Sequence, residues 1–418
     1  MEGIEYLRHK LDRKHNRVQT RYDYYEMKKH AENPGILIPN WLKNEYKATV
    51  GWCAKAVDSL SDRLLFDGFT DDVFNAEPIF DMNNPDIYFD AVIREALIGA
   101  CSFTHIAHGE GEENMPRLSV LTALDATGIM NEQTGLLKEG YAVLDRDKDG
   151  KPILEAYFTP TETVYFESGE PTRVEQNPSG YPLLVPAMFR PDSKRPFGHS
   201  RISRACMYYQ RLAETTLERS EVSAEFYSFP QKYVTGLDPD ADPLDAWRAT
   251  ISTMLRFDKD ENGDSPKLGQ FTQQSMQPFI DQLRMCASLF ASEIGLTIDD
   301  MGFPQSMPQS AEAIKATHAN LICIAQQAQK NFGTAFSNVG FLSACVRDNT
   351  RYSRSLLATQ RAKWLPVFAP DASSLAVIGD GANKINSAVP GYFNAETLRQ
   401  LTGIETAEAV GIEEAENE

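Results

Sequence analysis

The 418-residue sequence predicts an α+β fold, and three observations carry that reading. Long stretches repeat apolar residues at steps of three and four, which is the spacing of amphipathic helices. Between Leu118 and Phe189 the texture changes to short alternating apolar runs, Tyr141 to Leu144, Ile153 to Phe158 and Thr163 to Phe166, separated by Asp-Gly, Ser-Gly and Pro turns. The chain also exceeds the length of one ordinary core, so several sub-domains are expected.

Residues 1 to about 65 read as helices. The first is strongly basic, and a second is expected from Pro39 through Trp41, Tyr46, Val50, Ala54, Val57 and Leu60, with Asn40 as its cap. The basic patch Arg8 to Arg21 reads as a solvated or inter-subunit face, with nucleic acid or membrane as the alternatives. Asn-Pro opens a helix over Asn84 to Ile98, and Phe103 to Ala107 reads as a strand. After the β-rich piece, Arg195 to Ile202 leads into a helix that runs to about Phe229, where Pro230 stops it. A small insert follows with the pattern strand, helix, strand, at Lys232 to Val234, Pro243 to Leu255 and Lys267 to Phe271.

From Pro278, the apolar residues Phe279, Leu283, Cys286, Phe290 and Ile294 form one buried stripe, while Ala287, Ser288, Ala291 and Ser292 offer small residues for close approach of a neighbouring helix. The segment Thr297 to Gln309 mixes the breakers Gly302, Pro304 and Pro308 with Asp299, Asp300, Met301, Phe303 and Met307. Ser310 then reads as the cap of a long helix whose seam runs from Ile314 to Val346, about 55 Å over roughly 35 residues. Helices of that length usually pack against another chain or a repeat. Gly333 and Gly340 predict a bend. Tyr352 to Val367 and Ala376 to Leu401 read as a short helical tail before an acidic run of six glutamates.

Composition narrows the function. Apolar residues at 42% and charged residues at 24% fit a folded chain, and no run has the length of a membrane span, so no membrane partner is expected. The start lacks the apolar centre of a secretory signal, which predicts a cytoplasmic product. Six scattered cysteines, none in a C-x-x-C pair, read as buried thiols in a reducing compartment. A formal charge of −18 argues against a protein that grips nucleic acid, though not against one that lets DNA slide past.

No phosphate loop, nucleophile elbow, zinc-protease motif or dinucleotide fingerprint is present, so no enzyme activity and no cofactor are expected. His199 is the histidine to examine, but it has no sequence-local partner and reads as a loop residue. Asp299 and Asp300 read as two solvated charges rather than a catalytic pair. The runs Asp145 to Gly150 and Asp258 to Gly263 imitate calcium loops, but Ala156 and Gly269 stand where a closing carboxylate is required, so no metal site is expected.

The order of helix, insert, helix, loop and long helix resembles the portal proteins of tailed bacteriophages, in the long-tailed, SPP1-like branch. Its marks here are Pro196-Phe-Gly-His-Ser-Arg-Ile202, Asp58-Ser-Leu-Ser-Asp-Arg-Leu64 with Asp67-Gly-Phe69, and Gln309-Ser-Ala-Glu-Ala-Ile314. The resemblance implies a portal fold. Its α/β wing would be 1–200, its stem helices 201–229 and 278–296, its clip 230–277, its channel loop 297–309, its long kinked wing helix 310–350 and its crown 351–418. It further implies a ring, a dodecamer, at one capsid vertex of the virion, assembled in the host cytoplasm. Its partners would be double-stranded DNA, terminase, a head–tail adaptor, and major capsid and scaffolding proteins. Asp299, Asp300, Met301, Gly302, Phe303, Pro304, Gln305, Ser306 and Met307 would face the DNA. Lys232, Trp247, Arg248, Asp258, Lys259 and Lys267 would face terminase and adaptor, and Phe279, Leu283, Cys286 and Phe290 would pack the stem. An enzyme with a site hidden in the β-rich half, or a coiled-coil scaffolding or capsid-joining protein without a channel, are the competing readings.

Overall fold

The computed structural model describes residues 3–29, 47–109, 115–228, 232–235, 267–270, 275–303, 318–368, 370 and 372–404. It is α+β, with every strand pair among the described residues antiparallel.

The β-rich piece is a five-stranded meander of β4 (Ala126–Met130), β5 (Leu137–Arg146), β6 (Pro152–Phe158), β7 (Glu162–Glu167) and β8 (Glu170–Gln176). Tight turns set its order. Asp147 Oδ1 accepts from the amides of Asp149 at 2.9 Å and Lys151 at 2.7 Å, which fixes the β5–β6 hairpin with Gly150 at φ +79°. The first calcium imitation is therefore a hairpin turn whose carboxylate already serves backbone amides; the second lies outside the described residues. A three-stranded sheet, β3 (Arg117–Leu121), β2 (Cys101–Ala107) and β9 (Leu184–Met188), lies beside it.

Helices close over these sheets. α1 (Ile4–Tyr25) buries Leu7 and Leu11 against Tyr141 and Val143 of the meander, and its Arg8 pairs with Glu155 at 2.7 Å. α2 (Trp52–Ser61) buries Cys53, Ala56, Val57 and Leu60. The expected longer helix from Pro39 is corrected: residues 47–50 are not helical, Gly51 occupies the cap, and Val50 leaves the helix to pack with Ala213 and Cys286. Residues 30–46 lie outside the described set. A short α3 (Glu77–Asp81) precedes α4 (Pro85–Gly99), which opens at Asn84-Pro85 as the sequence indicates.

The long helix α7 (Ala319–Arg347) is buried almost continuously from Phe332 to Val346, inside its own protomer. That differs from the expectation of a seam for another chain, because α7 packs against β2, β9 and the segment after it. Its expected beginning at Ser310 lies outside the described residues. Gly333 and Gly340 sit within the continuous helix at close approaches: a Cβ on Gly333 would stand 2.7 Å from Cβ of Ala362, and one on Gly340 3.0 Å from Cβ of Ala76.

The tail expected as helix from Tyr352 to Val367 is also corrected. It holds a 3-10 turn, Arg354–Ala358, and the strand β12 (Ala362–Trp364), which pairs with β1 (Phe66–Phe69). Trp364 stacks near Phe66 at 5.4 Å and Phe336 at 5.9 Å, so aromatic burial overrides the helical pattern. Two helices, α8 (Ala372–Ala388) and α9 (Ala395–Thr402), follow, and Arg399 returns to Asp67 at 2.9 Å. Five cysteines are buried, as expected of thiols inside apolar patterns, and Cys323 is exposed.

Candidate functional site

The helices flanking the insert form an antiparallel hairpin. α5 (Arg204–Ser228) begins where α6 (Gln277–Ile294) ends, since Ser203 Oγ donates to Glu293 Oε1 at 2.8 Å. Cys286 and Phe290 are fully buried, whereas Phe279 and Leu283 are half-buried. Ala287 and Ala291, two of the small residues expected to let a neighbouring helix approach closely, are buried at 0% and 2% exposure. The open face instead carries Met285, Ser288, Leu289 and Ser292, at helical positions i, i+3, i+4 and i+7. Met285 is 49% exposed and Leu289 43%, an apolar pair between small hydroxyl residues that the single protomer leaves in water.

At its far end the hairpin runs to β10 (Lys232–Thr235) and β11 (Lys267–Gln270), with Lys232 opposite Gln270 and Thr235 opposite Lys267. The Lys267 side chain is exposed. Trp247, Arg248, Asp258 and Lys259 lie outside the described residues.

At its near end the chain turns through Thr297–Phe303. Asp300 is not a free charge: its Oδ2 accepts from the amide and the hydroxyl of Thr297, both at 2.8 Å, and its own amide donates back to Thr297 Oγ1 at 3.1 Å. Lys55 Nζ donates to the Asp300 carbonyl. Met301 is 7% exposed and belongs to the core, so it is withdrawn from solvent within the protomer, and Phe303 packs on that core. Asp299 and Gly302 are the exposed members, and Gly302 takes φ +85°. Pro304, Gln305, Ser306 and Met307 lie outside the described residues.

The joint between body and hairpin is the Pro196 to Ile202 segment. Arg201, 6% exposed, donates through Nε to the Ala56 carbonyl at 3.1 Å and through Nη2 to the Ile294 carbonyl, while its amide bonds the Leu97 carbonyl at 2.8 Å. One side chain thus joins α2 to the end of α6, and its backbone ties both to α4. Burial lowers its pKa to about 10, still leaving it charged at neutral pH. Gly198 is required there: it has φ +80°, and a Cβ would lie 2.2 Å from the Phe189 carbonyl oxygen. His199 has a local partner after all, since Nε2 is 2.6 Å from Asp192 Oδ2 and Nδ1 faces Arg195 at 3.3 Å. The contact closes the 192–199 turn. Sequence reasoning marked this motif without the bonds of Arg201, whose acceptors are carbonyls distant in sequence.

Residues 4–345 match the family model described as phage portal protein, SPP1 Gp6-like. The chain belongs to that family. It is 23% identical over 413 residues to the portal protein of Mycobacterium phage D29, covering 94% of this chain and 83% of the relative. To the portal protein of Mycobacterium phage L5 it is 24% identical over 335 residues, covering 75% and 68%. Among solved structures, a chain in the virion of a native gene transfer agent particle aligns at 14% identity and TM-score 0.45, over 93% of this chain and 100% of that one. In this portal-family chain the Asp58–Leu64 and Asp67–Phe69 marks hold the body together: Asp58 accepts from Tyr25 at 2.9 Å, and Leu60, Leu64 and Phe69 are core.

Proposed function

We propose that copies of this portal protein close into a ring, a dodecamer as the family implies, at one capsid vertex of the virion. Double-stranded DNA passes along its axis, inward when terminase packages the genome and outward at ejection. The α5/α6 hairpin is the stem and the 230–277 insert is the clip that meets terminase and the head–tail adaptor. Exposed Asp299 and Gly302 sit at the channel, where a carboxylate repels passing phosphates.

The observation that supports a ring is the open face of α6. Met285 and Leu289 together with Ser288 and Ser292 make a helix-packing surface that a lone protomer leaves uncovered. A head-to-tail interface that closes on itself covers that face in every subunit and leaves no ends. The protein does its work by shape, without bond chemistry, and the His199–Asp192 contact serves the joint.

Native mass spectrometry with end-on negative-stain images tests the ring. Closed rings of uniform subunit number are expected. Monomers or open filaments at every concentration and salt would overturn the reading.

A further inference from the structure

A cationic cleft of about 440 Å³ lies between α1 and the 194–198 loop. Lys10, Lys14, Arg17 and Arg21 recur along one face of α1, while Leu7, Leu11, Val18 and Tyr22 bury the other. Lys194 and Arg195 stand on the facing loop, and Phe197 lies between them and the helix, with Lys10 Nζ and Lys14 Nζ each 5.2 Å from its ring centroid. Among the described residues, six basic side chains therefore line one cleft whose single acidic lining residue is Glu132, in a chain of net charge −18. Its floor is apolar, made by Phe103, Ala123, Ala126 and Met130.

The basic groups are held together at a cost. Lys14, Arg17 and Arg21 form no ion pair among the described residues, and Arg21 donates only to the Gly99 carbonyl at 2.8 Å. Burial, with Arg17 and Arg13 nearby, lowers the Lys14 pKa, and burial with Arg17 and Arg195 lowers that of Arg21 to about 10. An anion in the cleft relieves that repulsion.

We propose that this cleft binds a carboxylate-bearing peptide, and that its occupant is the acidic segment 405–418 of this chain. That segment carries six glutamates, at 405, 408, 413, 414, 416 and 418, and no basic residue. It also carries Val410 and Ile412, which match the apolar floor. The described chain stops at Ile404, held to the body through Arg399 and Asp67, and the fourteen residues beyond reach about 46 Å when extended. A nucleic-acid duplex fits less well: it is too broad for so small a cleft, and its backbone presents nothing for an apolar floor.

The test uses the full chain with E405Q, E408Q, E413Q, E414Q, E416Q and E418Q, which empties the cleft, and a fluorescein-labelled peptide of residues 404–418 read by anisotropy. The emptied chain is expected to bind the peptide at least about tenfold more tightly than the wild-type chain, whose own segment competes, and binding should weaken as salt rises. Lys14→Glu with Arg17→Glu should abolish it, as should Lys194→Glu, a change on an exposed loop that spares the core. No binding to the emptied chain, or binding indifferent to Lys194→Glu, overturns the proposal. Displacement of the peptide by 30-base-pair duplex DNA at equal charge would reassign the cleft to nucleic acid and also overturns it. None of these readouts depends on ring closure, so the proposal and the portal reading fail separately.

Discussion

His105 lies in β2 with its ring 5.2 Å from Phe158 and 6.4 Å from Tyr165, and it is 6% exposed. Desolvation, with Arg173 as a smaller contributor, depresses its pKa to about 4. The native state thus refuses a proton that the unfolded chain accepts at its ordinary pKa of about 6.5. Stability should be full above that pH and fall as the pH drops toward 4, by about 3 kcal/mol in all for this residue. Denaturant unfolding at pH 7, 5.5 and 4 checks it. His105→Phe should flatten this part of the profile, and an unchanged slope would show that other groups set the acid sensitivity. Residues of this kind were the least legible in the sequence. His199 showed no partner because Asp192 meets it through a turn, and Asp300 read as solvated because its bond to Thr297 depends on local backbone geometry. Arg201 acts on carbonyls, which have no residue-type signature at all.

At the scale of elements, periodicity identified both hairpin helices and the meander, because their burial follows directly from the 3.6 and 2 repeats. It failed where tertiary contact decides. Small residues on α6 divide into Ala287 and Ala291, which face the core, and Ser288 and Ser292, which face outward with Met285 and Leu289. β12 was invisible because three residues carry no period, and only Phe66 and Phe336 make Trp364 a strand residue. The outward face of α6 carries a direct test. Met285→Glu with Leu289→Glu should leave the circular dichroism of the protomer unchanged, since both side chains are already about half exposed. Each interface should lose about 1 kcal/mol or more of apolar burial per residue and gain buried charge, weakening assembly at least about tenfold. Analytical ultracentrifugation reads the shift from rings to monomers, and rings persisting at wild-type concentration would move the interface elsewhere.

At the scale of the whole molecule, the α5/α6 hairpin leads at its far end to the paired strands β10 and β11. Body joints at Arg201, Asp58 and the Arg399–Asp67 pair all lie on the near side of that hairpin. The register places Thr235 opposite Lys267, so residues 236–266 leave and re-enter between two residues that face each other across the β10–β11 pair. Replacing 236–266 by an Asn-Gly turn should therefore close a hairpin without disturbing α5 or α6, at the small entropic cost of a tight loop. If the insert is the clip, the shortened chain should still form rings by native mass spectrometry, because the α6 face is intact. It should lose binding of the packaging motor and of the head–tail adaptor in co-sedimentation by at least about tenfold, since their docking surface is gone. Rings with undiminished adaptor and motor binding would place those contacts on the body, and a shortened chain unable to form rings would make the insert part of the subunit interface itself.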